Sequence, residues 1–379
     1  MHEYKLQWES ANVTTLLEKI DRCQLPDPIT TTGWQWGCDR QFLLDLKQYW
    51  LHRFDWRAAM DRLNQYPQFT TCIDGQDIHF VHVVGEANGR RPLLLIHGWP
   101  GSHFEFWSMI EPLAYPSRFG GNAEDAFDLV IPSLPGFGFS GKPREPIGQK
   151  QTAAIFNTLM TQVLKYSQYL VQGGDFGSIV ASWLGRNHSQ SVRSIHLNML
   201  PFRNDTPPQN EEEAAWMQQV TAHYQQFSAY SMLHMTKPLS LIWASADNPL
   251  GQAAWIIERF HDWSDLSDKA FTDIYSFDKL ITNLMIYLMS DSFSSSIFYY
   301  IGLVNDGFSR LPAGQRVEVP IAYAAFDKDA VLPCPPRSRA ELTYNICRWS
   351  TPPGGGHFAA MEQPEWLLED IRQWAAELP

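Results

Sequence analysis

Residues 172–178 read Gln172-Gly173-Gly174-Asp175-Phe176-Gly177-Ser178. The stretch follows a short apolar run, Tyr169–Val171, and precedes a helical pattern, Ile179–Arg186. Small residues stand two positions before and two positions after Asp175. A sharp strand-to-helix turn needs that spacing, because larger neighbours would collide within it. Such a turn thrusts one side chain out above a sheet. An ordinary turn in which Asp175 caps the following helix is the competing reading.

Outward from this turn, apolar runs alternate with helical patterns. Pro92–Ile96 runs up to His97-Gly98, Asp128–Ile131 is halted by Pro132, and Ser194–Leu197 follows the turn. Thr152–Lys165 and Ile179–Arg186 read as the intervening helices. Short continuous apolar runs are the pattern of strands buried on both faces, and their alternation with helices predicts a mostly parallel, doubly wound α/β sheet. Phe69–Ile73 and Ile78–Val84 flank Asp74-Gly75 as a hairpin. The alternation stops at 204–316, where Glu211–Gln226, Pro249–Trp263 behind an Asn248 cap, and Phe277–Met289 read as helices. Val317–Ala325 and Tyr344–Arg348 resume the strand pattern, and Pro364–Ala376 closes the chain as a helix.

The division expected is therefore a core in two parts, 67–203 and 317–379, interrupted by a helical lid at 204–316. Insertions of this kind lie over strand ends, where ligands bind. Residues 1–66 form a polar, Trp-rich meander with helical stretches near Asp39–Arg53 and Trp56–Gln65. Neither stretch can bury its apolar face alone, so the segment is expected to pack on the core and lid.

Composition excludes several classes of function. Among 379 residues, 29 Lys and Arg stand against 41 Asp and Glu, a net charge of −12. That field repels phosphate backbones, so nucleic acid is not expected as a partner, and it disfavours anionic membrane surfaces. No apolar run approaches the ~20 residues of a membrane span, and MHEYKLQWES lacks a basic-then-apolar leader. Cys23, Cys38, Cys72, Cys334 and Cys347 are odd in number and contain no CxxC, so free thiols in a reducing cytoplasm are expected, without disulfides or zinc. Aromatic residues make up 13% of the chain, enough to fill a large core and line an apolar pocket.

Two more stretches carry chemistry. His97-Gly98-Trp99-Pro100-Gly101-Ser102 directly follows a buried strand, the place from which one backbone N–H of an oxyanion hole is drawn. The residue after the exposed side chain of the turn supplies the other, so the N–H groups of Trp99 and Phe176 are nominated. His97 beside a turn glycine reads as a hydrogen-bonded structural residue. Gly354-Gly355-Gly356-His357-Phe358 follows the last strand and leaves one imidazole projecting. Between them, Phe326-Asp327-Lys328-Asp329 ends the strand Val317–Ala325, and both aspartates lie where a partner for His357 should sit. The order nucleophile, acid, histidine is that of α/β-hydrolases. The expected fold is therefore an α/β-hydrolase with a helical lid and an N-terminal meander. An aspartate in the place of serine changes the reaction. A carboxylate attacks an sp³ carbon and leaves an alkyl ester, which water deprotonated by His357 then hydrolyses.

Together these stretches resemble the epoxide hydrolases, in particular the microsomal and juvenile-hormone branch. Tyr49-Trp50, Phe54-Asp55-Trp56 and Leu63-Asn64-Gln65-Tyr66-Pro67 are similar to that branch's N-terminal signature. HGWPGS at 97–102, LPGFGFS at 134–140, QGGDFGS at 172–178, HLNM at 196–199 and GGHFAA at 355–360 are similar to its core. The resemblance implies Asp175 as nucleophile, His357 as base and Asp329 as acid, with Asp327 as second choice. It also implies two lid tyrosines that protonate the epoxide oxygen. Tyr230 in Ser228-Ala229-Tyr230 matches the first, and Tyr299 in Ile297-Phe298-Tyr299 the second, with Tyr300 one position away. It implies a hydrophobic epoxide and water as substrates, and no cofactor or metal. The branch's membrane-bound members carry an N-terminal anchor, and the chain begins without one, so no membrane anchor is expected. A homodimer stays open.

The rival is a haloalkane dehalogenase, which uses the same logic but cradles a halide with ring N–H donors, commonly from a Trp right after the nucleophile. Phe176 has no such donor, and Trp99 alone is insufficient. A catalytically dead binding module would have lost Asp175 or His357, and both are present.

Overall fold

The computed structural model describes residues 1–27, 33–87 and 91–378. Among the described residues nine strands form one sheet: β1 (His2–Tyr4), β2 (Gln68–Ile73), β3 (Gln76–Val83), β4 (Arg91–Ile96), β5 (Phe127–Pro132), β6 (Tyr169–Gly173), β7 (Val192–Leu197), β8 (Val317–Ala324) and β9 (Tyr344–Ser350). Their order is β1-β2-β3-β5-β4-β6-β7-β8-β9. The pairs from β1 to β5 are antiparallel, and those from β5 through β4 to β9 are parallel. This is the mostly parallel sheet that the alternation predicts, in the arrangement expected of an α/β-hydrolase.

The parallel strands are apolar throughout because both faces are covered. Leu93, Leu94, Leu95 and Ile96 of β4 and Leu129, Val130 and Ile131 of β5 are all fully buried. The β2–β3 hairpin turns at Asp74 and Gly75, both at positive φ (52° and 79°), the turn whose twist suits a two-residue connection. β1 was not legible as a strand. It is three residues long, and it pairs His2 with Thr70 at the sheet edge. The helix expected at Thr152–Lys165 runs from Gln149 to Thr158 and loosens into a wider turn at Leu159–Val163.

The helical insertion comprises Glu211–Phe227, Ala229–Thr236, Pro238–Ser245, Pro249–Trp263, Phe277–Met289 and Phe293–Asn305, with a short turn at Phe271–Ile274. Asn248 caps the fourth of these, its side chain accepting from Gly251 N at 2.8 Å. An isolated bridge between Arg203 and Arg310 ties the two ends of the insertion together.

Before the hairpin, the helices Ser10–Arg22, Arg40–His52 and Trp56–Leu63 lie against the insertion. Asp39 and Asp55 cap the second and third. Trp34 stacks on His261 with centroids 3.9 Å apart. Tyr49 donates to Asp278 at 3.0 Å, Lys19 pairs with Asp247 at 2.7 Å, and Cys23 Sγ donates to Asn248. All five cysteines are free. No helix among the described residues is long and apolar enough to cross a membrane.

Candidate active site

Asp175 opens the helix Asp175–Asn187 directly after β6. Its φ is +47°, a left-handed conformation that a side-chain-bearing residue adopts only when its surroundings force it. The surroundings are tight. A Cβ on Gly177 would stand 2.0 Å from the carbonyl oxygen of Ile96, and one on Gly98 would stand 2.3 Å from the Asp175 side chain. Only glycine fits at either place. The carboxylate does not cap its own helix. Oδ1 accepts the N–H of Trp99 at 2.8 Å, and Oδ2 lies 3.1 Å from Nε2 of His357.

The other ring nitrogen of His357, Nδ1, lies 3.0 Å from Oδ1 of Asp329. His357 and Asp329 are 3% and 7% exposed, so the chain Asp175–His357–Asp329 is held out of bulk water. Asp327 is not part of it: its side chain is 61% exposed beside Lys328. Burial works against a charged imidazole at His357, but the carboxylates of Asp329 and Asp175 outweigh it. The imidazolium is held well above its ordinary range.

The loop that carries His357 is itself pinned. Its N–H donates to the carbonyl of Trp263 at 2.9 Å. Glu362 accepts the N–H groups of Gly356, Phe358 and Asp265, each at 2.8 Å. His97, by contrast, has both nitrogens spent on backbone, Nδ1 on Gly98 O at 2.9 Å and Nε2 on Leu134 N at 3.1 Å. Burial lowers its pKa to about 4, so it is neutral and structural.

The tyrosine register needs correcting. Tyr299 does not face the carboxylate. Its hydroxyl donates to Thr152 Oγ1 at 2.9 Å in the core, and its ring packs edge-on against Phe176. Tyr300, one residue on, turns about 100° around the helix and lines the cavity above Asp175 together with Tyr230. The rings of Tyr230 and Tyr300 are perpendicular, 6.0 Å apart, and Trp99 sits 5.7 Å from each. The two hydroxyls interact, and apart from each other neither has a hydrogen-bond partner among the described residues. Burial, then the Asp175 charge, raises Tyr230, while burial, Tyr230 and Asp175 raise Tyr300. Both phenols are therefore protonated across the physiological range.

Two cavities meet at Asp175. The larger, about 880 Å³, lies under the lid helices and is lined by Asp175, Phe176, Tyr230, Trp263 and Tyr300 at its inner end. The smaller, about 20 Å³, touches Glu105, Gln172, Asp175, Asn198 and His357. That is room for a water molecule with polar partners on several sides. No group of three or more His, Cys, Asp or Glu able to hold a metal occurs among the described residues.

Comparison with known proteins gives the family. Residues 1–106 match the family model described as epoxide hydrolase N terminus, and residues 91–252 that described as alpha/beta hydrolase fold. The chain is 33% identical over 397 residues to epoxide hydrolase 1 of Oryctolagus cuniculus, spanning 97% of this chain and 87% of that protein. The chain belongs to the epoxide hydrolase family. The structure of juvenile hormone epoxide hydrolase from Bombyx mori superposes with a TM-score of 0.87 at 27% identity, covering 100% of this chain and 94% of that one. Epoxide hydrolase from Aspergillus niger gives 0.85 at 27% identity, covering 100% and 96%.

As a member of this epoxide hydrolase family, the chain carries groups around Asp175 that motif reading passes over. Glu105 is one: burial, then the neighbouring Asp175 charge, pushes its carboxyl up to about 8, so it is neutral at pH 7. Its signal was a single acid between Phe104 and Phe106. Glu362 is another, marked only by an acid five residues after His357. Phe176 is the second residue of its helix, so its N–H is among those that have no acceptor one turn back. The indole N–H of Trp99 is buried and reaches no partner among the described residues.

Proposed function

We propose that this enzyme hydrolyses a lipophilic epoxide to a vicinal diol through an ester on Asp175. The observation that carries the reading is the hydrogen-bonded chain Asp175–His357–Asp329, at 3.1 and 3.0 Å, facing two protonated phenols across an apolar cavity. Oδ1 of Asp175 is held by Trp99 N–H, and Oδ2, beside His357, is the oxygen that attacks a ring carbon. As the ring C–O bond breaks, the departing oxygen takes a proton from the Tyr230–Tyr300 pair. Attack and protonation come from opposite sides, as an in-line displacement requires.

Esterification removes the Asp175 charge, one of the two that hold the His357 imidazolium. Its proton affinity falls, and its proton replaces the one the phenols gave up. Neutral His357 then takes a proton from water, and hydroxide attacks the ester carbonyl. The oxyanion forms on Oδ1, where Trp99 N–H already lies and the free Phe176 N–H is at hand. Collapse expels the alkoxide, which takes the imidazolium proton. The acid left on Asp175 returns its proton to His357, so the resting ion pair is restored. Asp329 orients the ring and stabilises its charged form. The small cavity between Glu105 and His357 supports the approach of water from the side away from the lid.

Styrene oxide in ¹⁸O water tests this. Diol should form, and after repeated turnover label should reside in the Asp175 carboxylate. Label found only in the diol after a single turnover would mean direct water attack. A bromoalkane should release no bromide, since Phe176 offers no ring N–H and that of Trp99 is enclosed.

A further inference from the structure

The loop that carries the base is tied to the lid by one buried acid that the reaction scheme does not use. Glu362 is 7% exposed and closes the short helix Ala359–Glu362. Its side chain folds back over its own turn. Oε1 accepts the N–H of Phe358, and Oε2 accepts those of Gly356 and Asp265, all at 2.8 Å. Gly356 and Phe358 flank His357. Asp265 stands two residues beyond the end of the lid helix Pro249–Trp263. One carboxyl group therefore joins both neighbours of the base to the lid. Burial pushes that carboxyl up, and the three N–H groups and the His357 charge oppose the shift.

The same two stretches meet at further points. His357 N–H donates to Trp263 O at 2.9 Å, and Oδ2 of Asp265 accepts Gly355 N–H at 3.0 Å. A Cβ on Gly356 would stand 2.5 Å from Trp263 O and 2.8 Å from Asp265 N, so the two backbones touch. Phe260 of the lid helix stacks on Phe358 with centroids 4.3 Å apart. In the resting enzyme the imidazole also has two side-chain bonds, to Asp175 and to Asp329. Esterification of Oδ2 removes the first. A ring held only through Nδ1 can swing about that bond, and its aim is then set by the loop that carries it. This is the stage at which aim matters, because neutral Nε2 must meet a water. Misplacing a reacting group by about 1 Å costs on the order of a hundredfold in rate.

We infer that Glu362 is a positioning residue for ester hydrolysis: by clamping residues 356–358 to residues 263–265 it keeps His357 on its line to water after the bond to Asp175 is lost. The inference rests on the reading of the Asp175 ester as an intermediate. The contribution is geometric. An amide oxygen in the place of Oε2 still accepts from Gly356 and Asp265, and only the Phe358 bond is lost. Glu362→Gln is therefore the conservative variant, and Glu362→Ala the one that opens the clamp. Alkylation uses the Asp175 carboxylate and the two phenols and does not use His357 as a base. The two steps should respond differently.

Stopped-flow fluorescence and mass spectrometry of the whole enzyme with styrene oxide read the two steps. Glu362→Ala should slow ester hydrolysis about tenfold to a hundredfold and leave alkylation within about threefold. The ester should accumulate, and kcat and KM should fall together. Glu362→Gln should recover most of the hydrolysis rate. A lowered Tm with an unchanged hydrolysis rate, or both steps slowed alike, would mean a structural role only and overturns the inference, as does a Gln variant as slow as the Ala variant. Should Glu362→Ala fail to fold, Asp265→Ala, which frees Gly355 N–H, should slow hydrolysis about threefold to tenfold, and an unchanged rate there is equally fatal. A second readout needs no turnover. Asp175→Asn removes the Asp175 charge as the ester does. In that background the proton on Nδ1 of His357, bonded to Asp329, should give a sharp downfield resonance that added Glu362→Ala broadens by exchange with water. Equal line widths in the two proteins overturn the clamp. Absence of any ester on the wild type would overturn the catalytic reading alone, and the resonance would still decide whether Glu362 holds the base.

Discussion

Exchanging one hydroxyl at a time on the helix Phe293–Asn305 separates catalysis from stability at adjacent residues. In Tyr300→Phe the ring stays and one of the two proton donors proposed for the epoxide oxygen goes. Loss of a single preorganised donor at a developing negative oxygen costs about 2.7–4 kcal/mol, roughly a hundred- to a thousandfold in rate. The loss should fall on alkylation, since the epoxide oxygen is already a hydroxyl when the ester is hydrolysed. In Tyr299→Phe the bond to Thr152 Oγ1 goes instead, and Thr152 keeps its own bond to Gly148 O at 2.9 Å. The cost is then about 1 kcal/mol of stability. At ~2.1 cal/mol/K per residue, 379 residues give an unfolding entropy near ~0.8 kcal/mol/K, so Tm should fall by only about 1 °C. Stopped-flow fluorescence can follow alkylation without a label. Trp99 stacks on Tyr230 at 5.7 Å and Trp263 lies 5.1 Å from His357, so both sense the site. Slow alkylation in Tyr299→Phe with normal alkylation in Tyr300→Phe would refute the assignment of donors.

His357→Gln should alkylate and stall, and mass spectrometry should find a stoichiometric adduct on the peptide containing Asp175; an inactive enzyme without adduct would place His357 before alkylation. Asp329→Asn should slow ester hydrolysis at least tenfold, by removing the charge that supports the imidazolium, whereas Asp327→Asn, at an exposed position, should leave kcat within about twofold. Glu105 ionises only near pH 8, so the wild type should lose activity as pH rises through about 8, and Glu105→Gln, which mimics the neutral acid, should lack that limb. The same shift has a stability sign. A carboxyl whose folded pKa is raised binds its proton longer in the folded state, so its contribution weakens from the unfolded range near ~4.3 up to about 8 and is flat above. Denaturant midpoints of Glu105→Gln should therefore change less across that window than those of the wild type.

The strands were legible because parallel strands buried on both faces leave short unbroken apolar runs, as at Leu93–Ile96 and Leu129–Ile131. The turn at Asp175 was legible because its crowding admits only small neighbours. The lid was legible where helices carry caps, as at Asn248, and illegible where they do not. Phe293–Asn305 combines a Ser-rich start with aromatic and β-branched residues, a composition with weak helix propensity and no polar face. Without a helix assigned there, nothing in the sequence decides which of two adjacent tyrosines turns inward. Helix Ala229–Thr236, which carries Tyr230, was similarly unmarked: the side chain of Ser228 before it makes no cap hydrogen bond. Glu105 escaped notice for another reason. Its significance lies in what surrounds it in space, a neighbouring carboxylate.

The contacts between the first 66 residues and the lid have a consequence for the birth of the molecule. Synthesis runs from the N-terminus, and segments that emerge together ordinarily fold together. Here β1 can pair once residues 68–70 leave the ribosome, but Lys19, Cys23, Trp34 and Tyr49 have partners at Asp247, Asn248, His261 and Asp278. More than two hundred residues must be made before those surfaces exist. Until then the three leading helices have only one another and the β1–β2 edge to pack on, and the faces meant for the lid stay uncovered. This segment is thus made well before the surface on which it settles.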